Sequence, residues 1–479
     1  MTTGKRIASA TFQLTLSNAL ARLISLITMP LLTHWLSPNA YGTAALVGTL
    51  VALASMFAIA GMDMSYVRAY HATGRISGQS VEGLSWRFVL VSGVLVGTTL
   101  ACGWRYIAAP LGLPDYLGSL VGGGILFSVT ATMAQGRARI HNRYRLMSVA
   151  VIASGVAAAV ASLGTAYWWR QDELPLVISL LVGYLVPIVV LGIPDICQLF
   201  RKSGLNRSER RQVIGIGIAG TITAPAYWVM SSSDRWFLGY FEDTASVGVY
   251  SIAYSVGIMG MMANSAITAV WAPEVAREYE ADRQKAPQQL GLIAERLLIA
   301  AAVVWLAVTA AGSDVIRLLA APSFHEAGEL VPYIAAAVFF HAVTHIANAS
   351  LLVKQRLGFA LWCWLATGLL CWGLNLVLVP QLGRLGAALT QTVSFAILSL
   401  LIGAGAQRLF PLQLHWPRLG SLLFLTFLIG LIMIQPWSPT PALSLLFKFP
   451  AGVVAAMGLA WCTAPEALQS RLSRRPATS

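Results

Sequence analysis

Apolar runs of roughly 17 to 25 residues follow one another along nearly all of the 479-residue chain, separated by short stretches rich in Arg, Lys, Pro and Gly. A helix of that length crosses about 30 Å of hydrocarbon, so each run reads as a spanning helix. The spans fall at about residues 9–33, 43–67, 88–110, 117–136, 147–169, 175–199, 212–233, 246–271, 292–320, 330–353, 359–380, 385–407, 419–436 and 442–463. The chain is expected to be an all-α polytopic membrane protein of about 14 transmembrane helices. Its 11% of charged residues, against about 25% in soluble proteins, excludes water as its main solvent. Lys5 and Arg6 precede the first run, but that run is long, contains Arg22 and lacks a small-residue cleavage site. It reads as a retained first helix.

A net charge of +13 raises nucleic acid as a partner, yet the basic residues are scattered over short loops and gather in no single domain. Topology accounts for them. One side collects Lys5 and Arg6; Arg68, Arg75 and Arg87; Arg137, Arg139, Arg143 and Arg145; Arg201, Lys202, Arg207, Arg210 and Arg211; Arg277, Arg283, Lys285 and Arg296; Lys354 and Arg356; Arg408 and Arg418; and Arg471, Arg474 and Arg475. The other side keeps only Arg105, Arg170, Arg235, Arg317, Arg384 and Lys448. By the positive-inside rule both termini are expected in the cytoplasm, in a bacterial inner membrane. Trp35, Tyr41, Trp104, Tyr106, Tyr167, Trp168, Trp169, Trp236, Tyr240 and Trp437 fall near predicted outer ends and read as an interfacial belt. The cysteines, Cys102, Cys197, Cys363, Cys371 and Cys462, lie in apolar runs without metal spacing and read as packing residues.

Two places in the chain resemble each other. An aromatic outer turn ends in a glycine that opens the next long helix, first at Tyr41 and Gly42, then at Tyr240 and Gly248, 206 residues apart at the glycines. An acid and an arginine close the following helix in each half, Asp63 with Arg68 and Glu274 with Arg277. Six crossings separate the copies, so the repeat is parallel about an axis along the membrane normal. This divides the chain into a six-helix lobe at 1–205, a second, pseudo-symmetric six-helix lobe at 206–410, and two C-terminal helices with a basic tail at 411–479.

The same residues carry a family likeness. Leu31, Leu32, Thr33, His34, Trp35, Leu36, Ser37 and Pro38, then Tyr41 and Gly42, resemble the first outer turn of the polysaccharide transporter family of O-antigen and exopolysaccharide flippases. Ser233, Asp234, Arg235, Trp236, Phe237, Leu238 and Gly239, then Val247 to Tyr250, resemble its helix 7 to 8 junction, and Trp271, Pro273 and Glu274 its helix 8 exit. The resemblance implies a flippase of the multidrug/oligosaccharidyl-lipid/polysaccharide exporter superfamily. Its implied cargo is a short oligosaccharide on a polyprenyl diphosphate, moved from the inner to the outer leaflet by alternating access. Membrane lipids and the polymerase or glycosyltransferases of the pathway are the implied neighbours.

Within the spans, polar residues are few and placed. Thr15, Asn18, Arg22 and Ser25 share one stripe of helix 1 with Thr11, and an intramembrane arginine faces an aqueous cavity or a partner. Arg22 either holds the diphosphate, whose oxygens match its fork of donors, or merely bridges two helices or snorkels. Asp63 and Arg68 form either a structural pair or an ion-coupling site, and Asp234 with Arg235 reads as a structural or gating element. His341, His345 and Asn348 share one face of helix 10, as a proton-sensitive wall or as interhelical hydrogen-bonding groups. No third ligand completes a metal site there. Glu274 opens an alternating-charge stretch that ends at Glu295 and reads as a helical connector. The sequence contains no phosphate-binding G-x-x-x-x-G-K-[ST] loop, no G-x-S-x-G elbow and no H-E-x-x-H. No catalytic activity and no cofactor are therefore expected, and transport must draw on an ion gradient such as H+ or Na+, on the membrane potential, or on downhill removal of the product. A multidrug or metabolite antiporter and a peptidoglycan-precursor flippase are the alternatives. A membrane polymerase or ligase needs a large outer loop, and every outer loop here is short.

Overall fold

The computed structural model describes residues 3–70, 78–169, 172–194, 205–221, 223–354 and 356–463. Arg75, Arg170, Cys197, Arg201, Lys202 and the basic tail with Arg471, Arg474 and Arg475 lie outside the described residues. Among the described residues every regular element is helical: α1 (Thr3–Trp35), α2 (Pro38–Ile59), α3 (Met62–Tyr70), α4 (Gly78–Ala108), α5 (Leu117–Ile140), α6 (Tyr144–Trp168), α7 (Leu174–Leu191), α8 (Arg207–Thr221), α9 (Thr223–Phe241), α10 (Thr244–Gly257), α11 (Met261–Ala281), α12 (Ala286–Leu319), α13 (Ala327–Val353), α14 (Leu357–Leu409), α15 (Trp416–Ile434) and α16 (Pro441–Thr463).

Twelve of the described helical stretches are long and apolar enough to cross a membrane. One of them lies in α14, whose 53 residues would run about 80 Å as a straight rod, far beyond one bilayer. It breaks at Gly383, with φ 55° and ψ −130°, a conformation open to glycine alone. The break separates the two expected spans 359–380 and 385–407. The span expected at 212–233 falls on α8 and α9, so the total stands at about fourteen. The chain is a multi-pass membrane protein.

Two expectations need correction. The second span is not one helix: α2 stops at Ile59, and Ala60 (φ 45°) and Gly61 (φ 68°) turn the chain left-handed before α3 begins. A right-handed helix cannot pass through two such residues. The aromatic belt is also narrower than expected. Tyr106, Tyr167, Trp168, Trp169, Tyr240 and Trp437 are exposed, but Trp104 is buried and its indole N–H donates to the Pro114 carbonyl at 2.9 Å.

Contacts gather the chain into two compact units, Met1–Ser251 with Trp372–Ala387, and Ile252–Cys371 with Ala388–Ser479. In the first, α6 packs against α1 and α7, and α4 against α5. In the second, α12 is the central helix, packed against α13, α15 and α16. Its core joins Trp271, Leu290, Ile299, Ile346, Phe410 and Leu422, so the segment after residue 410 is part of this core.

Candidate functional site

Helix α1 presents three different faces. Leu16, Leu20, Leu23 and Ile27 are exposed along one side, as lipid-facing leucines should be. On a flank Ala21 lies against Gly155 of α6, so close that a Cβ on that glycine would stand 3.2 Å from the Ala21 backbone. The polar stripe lies roughly 150° round the helix from the leucine face. Asn18, Arg22 and Ser25 are exposed and Thr15 is half-buried. Among the described residues Arg22 has neither an ion-pair nor a hydrogen-bond partner. The side chain of Asn18 is turned back to the Leu14 carbonyl at 2.9 Å. An exposed guanidinium thus stands between neutral polar groups on a face of α1 distinct from its leucine face.

Asp234 and Arg235 occupy a different environment in the same unit. Both are buried in α9, with their charges 3.8 Å apart. The Tyr250 hydroxyl donates to Asp234 at 2.5 Å, and the guanidinium of Arg235 lies 5.7 Å from the Tyr250 ring centre. The neighbouring Ser233 hydroxyl lies 3.4 Å from the Asn375 amide. Trp228 and Trp236 both donate to Thr49 of α2, at 3.0 Å each. These contacts tie α9 to α2 and α10.

The two glycines of the repeated turn meet each other. A Cβ on Gly42 would fall 1.7 Å from the Thr244 carbonyl oxygen, and one on Gly248 would fall 1.9 Å from that of Pro38. The contact is reciprocal, as a two-fold axis between equivalent helices requires, because Pro38 and Thr244 are again 206 residues apart. The Thr244 hydroxyl also donates to the Asn39 side chain. With backbone on the opposing side, neither helix can yield to a methyl group. Gly42→Ala and Gly248→Ala are each expected to destabilise the fold by about 1–3 kcal/mol, the cost of overpacking. Thermal unfolding in detergent, followed by size-exclusion chromatography, measures this; an unchanged midpoint for both would refute the tight crossing.

The remaining residues singled out in the sequence are dispersed. Asp63 and Arg68 do not pair: they occupy the first and last turns of α3, where each complements the helix dipole. Glu274 pairs with Arg277 at 2.6 Å, an exposed contact one turn apart. The expected connector is the end of α11, a turn at Asp282, and the start of α12. Backbone N–H groups of Lys285 and Gln284 bond the Asp282 carboxylate and hold it below the ordinary carboxylate range. In the second unit His341 and His345 meet edge to face, ring centres 4.4 Å apart, with Phe395 5.3 Å and Trp364 6.4 Å from His341. The side-chain oxygen of Asn348, on the same face, is buried and has no partner among the described residues.

Two ion pairs were missed, one fully and one partly buried. Lys448 does not reach the outer surface. Its ammonium lies 2.8 Å from Asp314, both side chains 3% exposed, and also donates to the Ala310 carbonyl at 3.1 Å. The Ser444 hydroxyl donates to the same carboxylate oxygen at 2.8 Å. The usable signal was one lone acid and one lone base, each within two turns of the outer end of its span. Glu82 of α4 likewise accepts from Arg137 of α5 at 2.8 Å, where Arg137 had been assigned to a loop.

A polar stripe along the first helix and a reciprocal crossing of α2 and α10 thus mark a multi-pass helical membrane protein. The comparisons with known proteins place it further. The chain belongs to the polysaccharide biosynthesis protein family, whose sequence profile matches residues 7–277. No curated protein matches it in sequence. Its fold is similar to that of the lipid II flippase MurJ in an inward closed conformation, with 11% identity, a TM-score of 0.68, and coverage of 95% of this chain and 97% of that one. A multidrug resistance MATE family transporter of the MOP superfamily, inward-facing, is similar with 12% identity, a TM-score of 0.60, and coverage of 88% and 99%. The eukaryotic MATE transporter AtDTX14 follows with 15% identity, a TM-score of 0.52, and coverage of 87% and 96%.

Proposed function

We propose that the protein is a flippase that moves polyprenyl-diphosphate-linked oligosaccharide units, O-antigen or exopolysaccharide repeats, across the bacterial inner membrane by alternating access. The observation that carries this reading is the unpaired Arg22 on the exposed polar stripe of α1, opposite the leucine face. A guanidinium binds a diphosphate through paired N–H donors, while Thr15, Asn18 and Ser25 offer neutral groups to sugar hydroxyls. The polyprenyl tail remains in lipid, so the sugar never enters hydrocarbon. Membership in a polysaccharide biosynthesis family supports a glycan cargo. Both termini lie in the cytoplasm on this reading, and the repeat defines lobes at 1–205 and 206–410 with two further helices at 411–479. Asp63, Asp234, His341 and His345 are the candidates for coupling to an H+ or Na+ gradient, and the protein catalyses no covalent step. The polymerase or glycosyltransferases of the pathway are its proposed partners.

A second reading, a peptidoglycan-precursor flippase, draws support from the fold shared with a lipid II flippase. One experiment separates the two, and both from a multidrug antiporter: delete the gene and identify the accumulated polyprenyl-diphosphate species by mass spectrometry. A trapped oligosaccharide repeat is expected, cleared by the intact gene. A trapped peptidoglycan precursor would favour the second reading, and altered sensitivity to small toxic compounds without any trapped lipid would overturn both.

A further inference from the structure

At one end of the second unit two cations share one tyrosine ring. The Arg283 guanidinium lies 5.2 Å and the Lys354 ammonium 5.1 Å from the ring centre of Tyr279, near the end of α11. Lys354 also lies 5.6 Å from the ring centre of the buried Phe410, which meets Tyr279 edge-on at 5.6 Å. The ends of α11, α13 and α14 thus form one cluster. Its two charges stand within about 10 Å of each other, a Debye length, and repel. Neither has a carboxylate partner among the described residues. The nearby acids are engaged elsewhere, Glu274 and Glu278 by Arg277, and Asp282 by Lys285 and the Gln284 backbone. Glu280 is exposed and follows Tyr279 directly, so it points about 100° further round the helix.

The rings hold these cations without neutralising them. A ring face attracts a cation through its quadrupole and leaves the N–H donors open. Lys354 gives one donor to the Tyr279 hydroxyl at 3.3 Å and keeps the others, while the fork of Arg283 donates to no described group. Lys354 is also half-buried, where a cation without an anion is costly. Apolar surface stands beside the charges. Phe359, in the first turn of α14, is 41% exposed, and Leu409, its last residue, is 38% exposed. The two ends of α14 meet here, because a Cβ on Gly405 would fall 2.1 Å from the Phe359 ring. Open cationic donors next to exposed apolar side chains match an amphiphile with an anionic head. The residues proposed to hold the cargo, Thr15, Asn18, Arg22 and Ser25, all belong to the first unit.

We propose that Arg283 and Lys354, set on Tyr279 and Phe410, bind the phosphate of an anionic membrane phospholipid whose chains rest on Phe359 and Leu409. The site is separate from that of the cargo, so its test uses no transport. The full-length protein is stripped of lipid in detergent and titrated with phosphatidylglycerol or with phosphatidylcholine, and bound lipid is followed by native mass spectrometry. Phosphatidylglycerol is expected to bind in preference to phosphatidylcholine. Arg283→Gln with Lys354→Gln should weaken its binding at least about tenfold, the factor for one lost hydrogen bond to a charged group. Arg283→Lys with Lys354→Arg should retain most of it. Arg296→Gln with Arg418→Gln, which removes two exposed charges from α12 and α15, should leave it unchanged. Equal weakening by both glutamine pairs would overturn the site, because bulk charge alone would then hold the lipid. Equal binding of phosphatidylcholine would overturn it as well. So would displacement of phosphatidylglycerol by an equal concentration of inorganic phosphate or of a polyprenyl diphosphate, which would assign the donors to a free anion or to the carrier of the cargo.

Discussion

Arg22→Ala should reduce export of the lipid-linked glycan by roughly 10- to 100-fold, the loss expected when two charge-assisted hydrogen bonds to a diphosphate are removed. Arg22→Lys should retain a fraction of the activity. An ammonium keeps the charge but cannot present two parallel N–H donors to phosphate oxygens. Neither substitution should lower the amount of protein in the membrane, because Arg22 is exposed and has no partner among the described residues to leave unpaired. That combination distinguishes a binding residue from a structural one. The measurement is the quantity of polyprenyl-diphosphate oligosaccharide trapped in cells carrying each variant, set against the membrane level of the protein by immunoblot. Full export by both variants would end the diphosphate role, and a fall in protein level parallel to the fall in export would make Arg22 a helix bridge.

The length and polarity of the runs made the spans legible, and the turn at Gly383 was visible as a short interruption between two of them. The break at Ala60–Gly61 was not. The sequence there stays apolar and holds no proline, and the left-handed joint lies against groups far away in the chain, Val213 at Ser65 and Gly217 at Ala60. The stripe of α1 was legible because residues three and four apart share a helix face whatever the fold. Asp63 and Arg68 looked like a pair because sequence nearness suggests contact, yet in a nine-residue helix they occupy opposite ends. Trp104 near a helix end reads the same whether it faces lipid or a neighbouring loop, and only packing decides. The reciprocal contact of Gly42 with Gly248 lies between these cases. Each glycine stood out as the start of a long helix, but their meeting depends on two helices crossing, which no local pattern encodes.

The Asp314–Lys448 pair sets up the largest effect on stability. Lys448→Ala leaves a carboxylate buried in the membrane interior with Ser444 as its remaining side-chain donor, and breaking a buried pair from one side typically costs about 3–5 kcal/mol. Removing both charges should cost much less, because two apolar groups demand no solvation. Lys448→Met combined with Asp314→Leu is therefore expected to recover most of the lost thermal stability in detergent. The position of the pair says which part fails first. The other end of α12 is tied to the start of α15 by Glu295, which lies 3.0 Å from the His415 ring, and by the Gln413 N–H, which donates to the Pro287 carbonyl at 3.1 Å. Glu295 and Asp314 stand about 28 Å apart along the helix axis, nearly the thickness of the hydrocarbon layer. Loss of Lys448 should consequently release α16 while α15 stays anchored, and limited proteolysis should cut between residues 435 and 440 before any other site. If the double variant proves as unstable as Lys448→Ala, the unpaired carboxylate is not the cause, and the hydrogen bond from Lys448 to the Ala310 carbonyl is what holds α16 in place.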